Sequence, residues 1–172
     1  MSWRRVVAFV AFIVFIALVV GVTAVGDALA GERGKVVSRE VYCASSFPSV
    51  KVPDAEGHAI YLVDAKGVGF NEAWGASAAV CTGTSEVIKG GGPVTGYAHF
   101  TFADGSTLTS KYKGEAKGAA YGATGRREGE GTWAYIKGTG RFEGIQGEGT
   151  YKWYVIAPGI WYSDGEGEYT LP

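Results

Sequence analysis

Three near-identical blocks, Gly129-Glu130-Gly131-Thr132-Trp133, Gly147-Glu148-Gly149-Thr150-Tyr151 and Gly165-Glu166-Gly167-Glu168-Tyr169, recur at a step of 18 residues. Two antiparallel strands of about seven residues joined by tight turns use about that many. On this reading the block marks every second strand of a meander, at the same end and with the same facing. Glycine fills 28 of 172 positions, 20 of them beyond residue 82. Each glycine inside a helix costs about 1 kcal/mol relative to alanine, so this half is not helical.

Aromatic and β-branched residues come in short runs punctuated by glycine, as strands do. Eight are read: 36–43, 58–65, 76–82, 95–103, 106–114, 129–137, 147–156 and 160–170. Asp104-Gly105 signals a type I′ hairpin, because both residues tolerate positive φ. Residues 90–93 and 114–125 read as loop or weakened strand, and 45–57 as the longest irregular connection. In 147–156, Tyr151, Trp153 and Val155 share one face while Thr150, Lys152, Tyr154 and Ile156 share the other. Both faces carry apolar groups, which suits a closed antiparallel barrel with a lined interior and a partly covered exterior. Closure also removes open sheet edges. The expected fold is all-β: a single eight-stranded antiparallel barrel over residues 31–172, preceded by an apolar N-terminal helix within residues 1–30.

That N-terminal segment opens with Arg4-Arg5 and carries no charge from Val6 to Gly26. Twenty helical residues just cross a bilayer core of roughly 30 Å. Basic residues before an apolar run equally fit a cleaved secretory signal, and Val22-Thr23-Ala24 and Ala28-Leu29-Ala30 offer small-residue cleavage patterns. Either way the barrel is expected outside the cytoplasm, periplasmic, secreted or anchored, with membrane contact only through residues 6–26 if they are retained.

The net charge is −1, and no basic block is long enough to track phosphates, so nucleic acid is not an expected partner. Cys43 and Cys81 form an even pair, which in an exported protein points to a disulfide; two buried free thiols are the alternative. His58 and His99 lack a second ligand at metal spacing. No Gly-x-Ser-x-Gly elbow or phosphate loop is present. No metal, cofactor or catalytic residue is therefore assigned.

Two constellations remain. Glu130, Glu148 and Glu166 hold the same place in each block and are expected to gather at one rim, as solvated strand ends or as a cation or acid site. Aromatic residues with polar tips suit either the wall of a small-molecule pocket or a packed core. Period-two alternation makes the inward set Trp133, Tyr135, Tyr151 and Trp153 or its complement, and the first is preferred as the bulkier. Tyr97 and His99 are further cavity candidates.

The segment Gly138-Thr139-Gly140-Arg141-Phe142-Glu143-Gly144-Ile145-Gln146-Gly147 resembles the Gly-Gly-Thr-Gly-x-Phe-x-x-Ala-x-Gly block of dirigent proteins and the related allene oxide cyclases. Upstream, residues 62–68 and 97–105 look like those of uncharacterised exported bacterial proteins with the same ending. Lys137 stands in place of the family's first glycine and Ile145 in place of its alanine. The resemblance implies an eight-stranded barrel with an apolar cavity, and carries over no catalytic position. The expected function is binding of a small apolar, lipid-like ligand. The alternatives are a cyclase-like isomerase and a structural or envelope-interaction protein with a filled core. The oligomeric state is left open, an oligomer included.

Overall fold

The structure, a computed structural model, describes residues 31–118 and 127–172. The compact unit is Arg33–Leu171. The expected N-terminal helix lies outside the described residues, and among the described residues no helix is long and apolar enough to cross a membrane.

The strands are β1 (Arg33–Cys43), β2 (Ser49–Lys51), β3 (Ala59–Asn71), β4 (Gly75–Val87), β5 (Gly92–Phe102), β6 (Thr107–Gly118), β7 (Arg127–Thr139), β8 (Gln146–Ala157) and β9 (Ile160–Thr170). From β3 to β9 each pairs antiparallel with the next in sequence, and β1 pairs with both β9 and β3. That double pairing seals an eight-stranded antiparallel barrel. The ninth strand, β2, continues the line of β1 along the same edge of β3, at Ala59–Tyr61. It falls inside the connection expected to be irregular.

All eight barrel strands run 11–13 residues, not about seven. The 18-residue step is therefore one long strand and its connection, and the three blocks sit on the consecutive strands β7, β8 and β9. Neighbouring strands run in opposite directions, so the blocks do not share one end. What they share is facing. Gly149 lies opposite Gly167, and Gly131 opposite Gly114, all turned inward. A side chain at Gly129 would collide with the Trp153 ring, at Gly131 with Tyr151 and at Gly147 with Tyr135. The glycines are the floor on which the interior rings lie.

The turns also redistribute. Among non-glycine residues described, only Lys89 has positive φ, at 52°, followed by Gly90 at 89°. Ile88 and Gly91 exchange backbone hydrogen bonds of 2.7 and 3.2 Å around them, so the two-residue hairpin with positive φ at both centres lies here. At Asp104-Gly105 only the glycine is left-handed, at 82°. Asp104 instead accepts the Ser106 N–H at 3.0 Å, a local side-chain turn that asparagine and aspartate favour.

One barrel end is closed by apolar packing. Gly140 (φ 62°) and Gly144 (φ 77°) bracket a 3₁₀ turn, Gly140–Phe142. That turn drives Phe142, 1% exposed, into a cluster with Phe102, Leu108, Ile145 and Tyr169. Trp74 meets its ring edge-on at 5.0 Å. At the opposite end, where β1 finishes and β9 starts, Tyr42 and Trp161 stack at 5.4 Å.

Candidate functional site

Between the two ends lies a cavity of about 130 Å³. A water needs roughly 10–15 Å³ on such a measure, and an apolar cavity of about 150 Å³ takes up benzene. The core is not filled.

Trp133, Tyr135, Tyr151 and Trp153, the preferred inward set, all line it, together with Trp161, Tyr112 and Tyr42. Period two along β7 and β8 puts all four on one face, and the cross-strand glycines leave room for their width. Trp133 donates its indole N–H to the Thr150 carbonyl at 3.1 Å, which fixes the ring while leaving its faces apolar. Tyr112 and Tyr151 meet edge-on at 5.9 Å. Burial raises the hydroxyl pKa of both Tyr135 and Tyr151. The Tyr151 hydroxyl is buried and has no hydrogen-bond partner among the described residues.

Tyr97 and His99 do not line the cavity. On β5 the even positions Val94, Ala98 and Phe102 are buried, so the odd ones face out, and Tyr97 is 46% exposed. The His99 Nδ1 pairs with Thr109 Oγ1 at 2.9 Å on the outer surface. A histidine between aromatic neighbours in sequence was simply on the wrong parity.

The glutamates are likewise not a rim cluster. Glu130, Glu148 and Glu166 all sit exposed on the outer wall. Glu130 pairs with Lys152, whereas Glu148 and Glu166 lie nearer the other end, opposite Glu168 and Thr150. No group of three metal-ligating side chains occurs among the described residues. The cysteines are both free, Cys43 exposed and Cys81 buried. They occupy opposite faces of the wall, one outward from β1 and one inward from β4, so no disulfide joins them.

The polar chemistry of the cavity comes from a residue the sequence reading passed over. Glu40 lies at the middle of β1, 7% exposed, on the parity of Val36 and Tyr42. Its neighbours across the sheet are Gly69 and Ser163. A carboxyl here loses water, and that burial pushes its pKa from the ordinary 4.5 up to about 7. Hydrogen bonds from Ser38 and Ser163 pull the other way, and Asp164 adds to the rise. Cys81 lies on the same wall, its thiol 3.4 Å from the Tyr112 hydroxyl, and burial raises it to about 11. The available signal was the inward parity of Val36, Glu40 and Tyr42 on one strand; with one acid among apolar residues, period two alone did not tell core from solvent.

No family model and no curated protein matches the chain. Two solved structures do, both pterocarpan synthase dirigent proteins. PsPTS1 matches with a TM-score of 0.49 and 14% identity, over 82% of this chain and 96% of that one. GePTS1 matches with 0.46 and 16%, over 81% and 87%. Superpositions this loose carry no argument about chemistry; the barrel stands on its own strand pairing, and the site on its own side chains.

Proposed function

We propose that this barrel binds a small, largely apolar molecule bearing one oxygen function. The observation that carries the reading is the aromatic-walled cavity, with Tyr151 in its wall and that residue's hydroxyl unpartnered. Buried hydroxyls normally find a partner, and a pocket of apolar walls with few polar points orients a ligand through those points. Calorimetry with phenol and 4-propylphenol against benzene and propylbenzene tests it. Saturable binding is expected, with Tyr151→Phe weakening the phenols by about fivefold, one neutral hydrogen bond's worth, and sparing the hydrocarbons. Ser110→Leu, which fills the cavity from β6, should abolish binding of all four. If no compound binds, or if Ser110→Leu changes nothing, the reading fails.

Glu40 favours a second reading, in which the cavity also transfers a proton, as an isomerase or cyclase would. Near neutral pH its carboxyl is shared between acid and base forms, the condition under which general acid–base catalysis is efficient. Export belongs to the same proposal and rests on the Arg4-Arg5 pair and the apolar run that follows. Intact mass of the protein from its native host distinguishes a cleaved chain from a retained anchor.

A further inference from the structure

The outer face of β3 carries a row of side chains in which apolar and charged positions are placed symmetrically about its centre, the two charges being of opposite sign. Outward positions along Ala59–Asn71 are Ile60, Leu62, Asp64, Lys66, Val68 and Phe70. Two apolar residues, an acid, a base and two apolar residues follow one another, centred on Ala65, the midpoint of the strand. Leu62, Val68 and Phe70 are 53%, 65% and 51% exposed.

The surroundings extend the row into a face. Val41 of β1 lies beside Val68, and Ala76, Ala78 and Val80 of β4 lie beside Phe70, Val68 and Lys66. The β4 side chains are small, so the surface there has low relief. The charges at its margins are engaged within the chain. Arg39, opposite Phe70, reaches Glu72 at 3.5 Å and Asp164 at 3.9 Å. Glu86, opposite Ile60, holds His58 at 2.8 Å. Asp64 and Lys66 have no ion-pair partner among the described residues.

We infer that this face is a two-fold interface with a second copy of the chain. In such an interface the same patch meets itself, residue i touching j and j touching i. A two-fold axis lying in the contact plane and crossing β3 at Ala65 sets Asp64 against the partner's Lys66, twice. The same operation puts Leu62 against the partner's Val68 and Ile60 against the partner's Phe70. Every apolar position meets an apolar one and every charge its opposite. Contiguous exposed apolar surface marks interaction sites, and the charge order selects the antiparallel arrangement over its parallel rival, in which Asp64 would face Asp64.

Sedimentation velocity on the full-length chain, with light scattering for mass, tests the pairing. The wild type is expected to be a dimer. Asp64→Lys alone, or Lys66→Asp alone, creates like-charge contacts at both symmetry-related positions and should weaken the dimer by roughly tenfold or more. The double reversal Asp64→Lys with Lys66→Asp restores opposite pairs and should return affinity to within about threefold of wild type. These side chains are outside the barrel wall, and circular dichroism will show each variant folded. A monomeric wild type, a trimer, or a dimer indifferent to both single reversals overturns the inference. So does a double variant no tighter than the singles.

Discussion

The indole of Trp133 lies across Gly149 of the next strand, so close that a β-carbon at residue 149 would stand 2.7 Å from its Cζ2. The same carbon would collide with the Glu166 carbonyl on the far side. The glycine is a seat for the ring and a point of close strand approach at once. Gly149→Ala should therefore destabilise the barrel by about 2–3 kcal/mol, the scale of an overpacked core. A urea midpoint measured beside that of Lys152→Ala, an exposed position on the same strand, checks it.

Glu40 gives stability a pH dependence of defined sign. The folded chain keeps this proton up to about pH 7, while the unfolded chain releases it near 4.5. Between those values the folded state binds more protons, so stability is greatest below 4.5 and is lost as pH rises through 7. The loss is about 3 kcal/mol, one pKa unit being worth 1.36 kcal/mol. Glu40→Gln should flatten this slope and leave the variant more stable than the parent at pH 8. Denaturant titrations at pH 5 and pH 8 give the comparison.

The two thiols should differ sharply in reactivity. Cys43 is exposed, whereas Cys81 is buried with its thiol raised to about 11, and the thiolate is the reactive form. A maleimide should label one cysteine within minutes at pH 7 and the second only in denaturant. Reducing agent should leave the melting temperature unchanged. Mass spectrometry of the labelled peptides identifies which thiol reacted.

His58 ties the segment between β2 and β3 to β4. Its Nδ1 meets Asp54 at 2.5 Å and its Nε2 meets Glu86 at 2.8 Å. The Asp54 hydrogen bond raises the imidazole pKa above the ordinary 6.5, Glu86 adding to it, and His58 in turn lowers Asp54 below 3.8. The tether's contribution is present below 6.5 and lost as pH rises through the raised histidine value. It is lost again as pH falls below 3.8 through the lowered aspartate value. Amide exchange over residues 52–58, corrected for intrinsic rates, should accelerate at alkaline pH. In His58→Gln that pH response should disappear.

Much of this was legible in the chain. All eight expected strands overlap observed ones because turn residues and alternation are local signals. Period two put Trp133, Tyr135, Tyr151 and Trp153 on one face of β7 and β8, and their bulk favoured that face over its complement as the inward one. Strand length was not legible, because interior glycines such as Gly67 and Gly83 look like strand ends. They are close approaches within β3 and β4, against the backbone of Tyr42 and of Thr95. That error carried Glu130, Glu148 and Glu166 to one rim. Glu40 was missed because a lone acid among apolar residues reads as a solvent-facing position. Its burial depends on Gly69 and Ser163, which reach it only through pairing with β3 and β9.

The closure of the barrel has a kinetic meaning. β1 is joined along its length to β9, with Arg33 opposite Thr170, and its other edge is sealed by β3. The hairpins from β3 to β9 can zip one after another, each by a short excursion. The final seam must bring together residues nearly a whole chain apart, a slow step relative to its neighbours. Until β9 is free to pair, there is a curved sheet with two raw edges and no inside. The chamber around Glu40 thus comes into being in one event, once β9 is available to pair with β1, and a chain arrested short of β9 has nowhere to hold a guest.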